Sequence, residues 1–79
     1  MKYIIREELS MDIRQCVCGD YPKFYIPNPY YTDLYLQCSC GRYTENTGGF
    51  HYGTEIPIEE AKIDAIKLWN KNDIMEKYI

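Results

Sequence analysis

The clearest pattern of apolar and polar positions lies in the C-terminal third of the chain. Ile58, Ala61, Ala65, Leu68 and Trp69 recur at helical spacing, with Glu60, Asp64, Lys67 and Lys71 on the opposite side. The spacing predicts a helix over about residues 57–72. Thr54 is placed to cap it, Pro57 suits its first turn, and Glu59 and Glu60 complement the positive end of the helix dipole. Residues 74–77 either extend this helix or leave it. The middle of the chain has a shorter period. Residues 23–26 and 31–37 are rich in β-formers and flank Pro27-Asn28-Pro29-Tyr30, a turn by composition. Residues 42–45 read as a third strand, ending before Gly48-Gly49. The first fourteen residues are ambiguous: residues 3–5 can pair with the sheet, and residues 9–14 can form a helical turn.

The polar interruptions of this pattern contain a phrase written twice. Gln15-Cys16-Val17-Cys18-Gly19-Asp20-Tyr21 returns as Gln37-Cys38-Ser39-Cys40-Gly41-Arg42-Tyr43, and the two copies hold all 4 cysteines of the protein. In extended backbone, residues i and i+2 project to the same face, so each pair is already aimed together. Zinc–sulfur bonds of ~2.3 Å in a tetrahedron require neighbouring sulfurs ~3.8 Å apart, closer than an extended chain holds them, so the backbone must bend. Gly19 and Gly41 follow the pairs directly and permit the positive φ that such a bend uses. Residues 19–37 fit a hairpin that carries one pair round to face the other. This is the reading of a structural zinc site with Cys16, Cys18, Cys38 and Cys40 as ligands. A disulfide would have to join the two copies, because a bridge across C-x-C strains its ring. Redox-active thiols are the third reading, and no Lys, Arg or His adjoins both cysteines of a pair to activate them. His51, the only histidine, is either a strand residue after the glycine pair or an additional ligand.

Length gives the metal a purpose. The chain has 79 residues, one domain over residues 1–79. Below roughly 80 residues a core alone rarely supplies more than ~3–5 kcal/mol, and small domains add a staple. The N-terminus meets charge too early for the apolar core of a signal peptide, and no apolar run approaches a membrane span. These features place the protein in the cytosol, where thiols stay reduced, and favour metal over disulfide.

Net charge is −3. Acids and bases balance over residues 1–43, and the excess acid falls in residues 44–79, where Glu45, Glu55, Glu59, Glu60 and Asp64 precede most of the lysines. Nucleic-acid binding uses a basic footprint, and none is visible. The acidic group is suited instead to a basic groove on a protein partner. Of 9 tyrosines, Tyr30 and Tyr31 stand beside Pro29 at the expected hairpin tip, where burial is difficult. Exposed tyrosines give rigid contact area at low entropic cost. A catalytic reading finds little: there is no Ser/His/Asp set, no phosphate-cradling loop, and a four-thiolate site leaves no coordination position open.

Two motifs carry a resemblance. Cys16-Val17-Cys18-Gly19 and Cys38-Ser39-Cys40-Gly41 precede Glu59-Glu60-Ala61-Lys62-Ile63-Asp64-Ala65-Ile66-Lys67-Leu68-Trp69-Asn70. In this order they resemble the Lar-type restriction alleviation family, small phage and prophage zinc-ribbon proteins whose final helix has the form E-E-A-x-x-A-x-x-x-W-N. The family's C-P-x-C-G form is absent from both pairs. The resemblance implies a zinc ribbon of mobile-element origin that acts in a bacterial host cytosol. It further implies a role against host defence, either restriction or, as with anti-CRISPR inhibitors, a CRISPR effector nuclease. It assigns Ala65 and Trp69 to packing between helix and ribbon. Together the residues and the resemblance describe an α+β zinc ribbon, with a short antiparallel sheet, two C-x-C-G knuckles and one C-terminal helix. Such a protein is non-enzymatic and binds another protein. The alternatives are a nucleic-acid-binding ribbon and a structural accessory domain.

Overall fold

The computed structural model describes residues 1–27, 30, 32–51 and 53–76, the side chains of Phe50, His51 and Glu76 excepted. It is α+β, built from antiparallel strands and one helix. In chain order the elements are β1 (Lys2–Arg6), β2 (Leu9–Asp12), β3 (Lys23–Tyr25), β4 (Tyr35–Gln37), β5 (Arg42–Tyr43), β6 (Phe50–His51), β7 (Thr54–Glu55), α1 (Ile58–Asn70) and β8 (Met75–Glu76).

The N-terminal segment forms its own hairpin. β1 and β2 pair antiparallel as a two-stranded sheet, with Tyr3 opposite Met11, and neither joins the four-stranded sheet. Alternation explains it: Tyr3, Ile5 and Met11 pack on the core while Ile4 points outward, 70% exposed. Residues 9–12 are therefore strand, and a helical turn there is excluded by the pairing.

The four-stranded sheet has the order β3-β4-β5-β8. Its strands are shorter than the β-formers suggest, for identifiable reasons. Leu34 leaves the ladder to form a bridge with Thr47. Thr44 ends β5 by turning its side chain inward: Leu36 N–H donates to Thr44 Oγ1 (3.0 Å), while Thr44 N–H donates to the Leu36 carbonyl (2.8 Å). Residues 28, 29 and 31 of the expected tip lie outside the described residues.

The helix runs Ile58–Asn70, inside the expected bounds, and its N-terminus corrects one expectation. Thr54 is not the cap. It pairs with His51 in β7, and Pro57 occupies the N-cap position with no side-chain hydrogen bond. Glu59 and Glu60 stand in the first turn, where the dipole favours acids. At the other end Asn72 adopts φ 63°. Asn72 N–H donates to the Trp69 carbonyl (3.0 Å) and Asp73 N–H to the Leu68 carbonyl (2.9 Å), a Schellman closure. The chain then reverses, so residues 75–76 leave the helix and pair with β5.

One core joins all these parts. Ile13, Leu34, Leu36, Ala61, Ala65, Ile66 and Trp69 are buried together with Cys16 and Cys38. Gly48 lets the 44–49 segment approach the helix. A Cβ there would stand 2.6 Å from Ala61 Cβ and 2.8 Å from the Thr32 carbonyl oxygen, at φ +83°.

Candidate metal centre

The duplicated phrase folds into the same turn twice. Cys16 N–H donates to the Asp20 carbonyl (2.8 Å) and Gly19 N–H to the Cys16 carbonyl (2.9 Å). In the second copy Cys38 N–H donates to the Arg42 carbonyl (2.8 Å) and Gly41 N–H to the Cys38 carbonyl (3.0 Å). Both glycines occupy the left-handed region, at φ 95° and 102°. That conformation strains a side chain with a Cβ.

The two turns face each other and bring four thiols together. Cys16 Sγ lies 3.6 Å from Cys40 Sγ, and Cys18 Sγ lies 3.3 Å from Cys38 Sγ. All four sulfurs fall within 4.8 Å of one another. A tetrahedral zinc site needs sulfur–sulfur edges of ~3.8 Å, so small movements suffice to seat an ion. The four cysteines are free thiols, and the donor set fits a soft divalent metal. In each copy the first cysteine is buried in the core, Cys16 at 5% and Cys38 at 3% exposure, and the second is nearer solvent.

The copies are mounted differently. The second sits at the open end of β4 and β5. The first is held by a clasp at the end of the helix. Trp69 Nε1 donates to the Arg14 carbonyl (2.8 Å), Arg14 N–H donates to Asn70 Oδ1 (2.9 Å), and Asn70 Nδ2 donates to the Asp12 carbonyl (2.8 Å). Arg14 Nη2 returns to Asn72 Oδ1 (2.8 Å) and to the Trp69 carbonyl (3.3 Å). The Trp-Asn ending of the helix therefore both fills the core and aims the first cysteine pair.

Charges around the sulfurs are uneven. The Arg42 backbone N–H is the main influence that pulls Cys40 down, to about 6; desolvation opposes it, and the Arg42 side chain assists, with Nη1 3.3 Å from Cys40 Sγ. Burial is the main influence on Cys38 and pushes its thiol up. Asp20 holds the two turns together: Ser39 Oγ donates to Asp20 Oδ2 (2.8 Å) and Tyr21 N–H to Asp20 Oδ1 (3.0 Å). These bonds, Ser39's first, keep the Asp20 carboxyl below the usual carboxylate range. Arg42 and Asp20 were not singled out by sequence reasoning, which looked for a cation touching both cysteines of a pair. Their signal was the position after each Gly, the one place where the copies carry opposite charges.

The other candidate residues are dispersed. Tyr30 is 88% exposed, and Tyr31 lies outside the described residues. His51 has its backbone in β6, and its side chain lies outside the description, so its approach to the sulfurs is not described. Glu59, Glu60 and Asp64 are exposed on α1, and Glu55 is exposed on β7. Glu45 is exposed just beyond β5. Among the described residues no helix is long and apolar enough to cross a membrane. Comparison with family models, with curated proteins and with solved structures gives no match to this chain.

Proposed function

We propose that this chain is a zinc-ribbon protein, without catalytic chemistry of its own, that acts by binding another protein. The observation that carries the reading is the convergence of four thiols, two from each turn, within 4.8 Å. Four thiolates complete the coordination of a zinc ion and leave no position for water or substrate, which makes the metal a structural part. Such an ion stabilises a domain whose core is otherwise marginal. Tetrahedral sulfur sites also suit iron, so metal analysis of freshly purified protein is the direct test. About one zinc per chain is expected; a value far below that, or iron in its place, removes the reading.

The resemblance to the Lar-type family supports a specific partner, a bacterial defence nuclease of the restriction or CRISPR type, bound and inhibited by a phage or prophage product in the host cytosol. Exposed Tyr30 and the acids Glu45, Glu55, Glu59, Glu60 and Asp64 are the residues offered for contact. Zinc-loaded protein immobilised and passed over host lysate should retain one nuclease subunit. A nucleic-acid-binding ribbon is the second reading, favoured by exposed Tyr25, which stacks on Tyr35 at 5.7 Å, since an aromatic ring on a sheet surface accepts a base. Retention on single-stranded DNA at low salt, released steeply as salt rises, would replace the first reading by the second.

A further inference from the structure

The face of the four-stranded sheet turned away from the helix is aromatic. Leu36 of β4 is buried in the core with Trp69, so its neighbours Tyr35 and Gln37 project from the other side. The register carries that side across the sheet: Tyr25 opposes Tyr35, Gln37 opposes Tyr43, and Tyr43 opposes Met75. Tyr25 and Met75 remain 45% and 42% exposed, large apolar groups left in water. Tyr43 meets Tyr35 nearly edge-on, with centroids 6.4 Å apart and planes at 71°. The two rings form a corner. With Gln37, Thr44, Glu45, Asn46 and Met75 they line an open, concave pocket of about 460 Å³.

The lining has a definite chemical preference. It offers two ring systems, a thioether, two side-chain amides, Thr44 and one carboxylate, and among the described residues Glu45 supplies its only formal charge. Ring faces attract cations, and a guanidinium additionally stacks on them and pairs with a carboxylate through its flat fork. Among the described residues of this lining a nucleic-acid base would meet no cation, and its phosphates would meet Glu45. A second copy docked by two-fold symmetry would bring Glu45 against the same patch of its mate. Charge complementarity therefore selects a basic side chain from a different protein.

We propose that this pocket is a docking site for an arginine side chain presented by a protein partner, an inference that rests on reading the chain as a protein-binding module. The rings of Tyr35 and Tyr43 pack on the guanidinium and Glu45 pairs with it. Arginine and tyrosine are the residues that concentrate binding energy at interfaces.

The test uses zinc-loaded full-length protein and blocked tripeptides Gly-Arg-Gly and Gly-Glu-Gly, followed by NMR of the tyrosine rings. Gly-Arg-Gly should shift Tyr35 and Tyr43 saturably, and Gly-Glu-Gly should not. E45Q, at an exposed position, should weaken binding about two- to fivefold, the range of an exposed ion pair. Y43A should abolish it. Equal shifts from both peptides, no shifts at all, or binding indifferent to E45Q overturns the proposal. So does tighter binding of an oligothymidylate at the same rings, or self-association that Y43A removes. Retention of the same lysate protein by wild type and by the Y43A/E45Q double variant overturns the pocket and leaves the module reading intact. Arginine-peptide shifts with no protein retained by wild type sink the module reading instead.

Discussion

The two copies of the cysteine phrase share a backbone and divide their duties. Each closes the same turn with the same two hydrogen bonds and a positive-φ glycine. Each buries its first cysteine and leaves the second nearer solvent. They part at the residue after the glycine: Arg42 reaches back to its own Cys40, whereas Asp20 reaches across to Ser39 of the other copy. A duplicated motif thus delivers two equivalent pairs of thiols, and two changed positions, Val17 against Ser39 and Asp20 against Arg42, separate thiolate stabilisation from attachment of the turns. The mounts differ too, one on sheet strands and one on the helix end.

The largest effect should separate the buried Cys38 from the exposed Cys18. Cys38→Ser removes a thiol of the proposed zinc site and sets a hydroxyl in the core, where Cys38 is 3% exposed. Apparent zinc-binding energies of ~10–16 kcal/mol exceed what a core of this size supplies, so most tertiary structure should be lost. Cys18→Ser removes a thiol of the proposed zinc site at an exposed position, where water can take the vacant place. It should retain a cooperative melt at lowered zinc affinity. Zinc content and thermal melts of both variants check this; equal behaviour would mean that burial does not distinguish the ligands.

Next comes the mount of the first copy. Asn70→Ala deletes the bonds to the Asp12 carbonyl and from the Arg14 N–H. At ~0.5–1.5 kcal/mol per net hydrogen bond, the loss should be about 1–3 kcal/mol. Denaturant melts of zinc-loaded protein measure it, and an unchanged midpoint would assign the mount to Trp69 and the Arg14 guanidinium.

The clasp also marks where the sequence stops being readable. The helix followed from a repeat of 3–4 residues and the cysteine turns from a phrase and its copy, because both signals are local. Arg14, Trp69 and Asn70 meet across 55 or more residues, and nothing in their spacing announces it. Thr54 shows the opposite failure: a good local cap was overruled when residues 54–55 paired with β6. Residues 74–76 were ambiguous because apolar periodicity is silent over so few positions, and Asn72 in the left-handed conformation decided the outcome. The sheet-face pocket was invisible for a further reason. Tyrosine content was plain, but which tyrosines share a face depends on a register set by hairpin pairing.

A smaller effect should distinguish the cysteines chemically. In metal-free protein held folded near neutral pH by a stabilising osmolyte, Cys40, pulled down to about 6, should alkylate ahead of Cys38, whose thiol is pushed up by burial. Arg42→Met removes the side-chain donor and should slow Cys40 alone. The backbone N–H, the larger influence, remains, so the change should be partial. The sign for stability follows from a folded value below the unfolded one. The Cys40 contribution is present at alkaline pH, above the unfolded thiol value, and is lost as pH falls towards 6. Site-resolved mass spectrometry of iodoacetamide labelling reports the order, and labelling of Cys38 first would refute it.

The smallest effect should fall on the tie between the copies. Ser39→Ala removes the main donor to Asp20 but leaves the Tyr21 N–H in place. The Asp20 carboxyl, followed by NMR, should titrate below the usual range in the native protein and move part of the way back in the variant. Because the folded value is the depressed one, the tie stabilises the fold above the ordinary carboxylate pKa, and its contribution disappears as pH falls through the folded value. The wild type and Ser39→Ala should therefore differ in melting temperature at neutral pH and converge in acid, provided both are compared with the same metal content. An Asp20 that titrates identically in both proteins would mean the turns are held together by the metal and the core alone, with opposite charges at equivalent positions contributing nothing to the join.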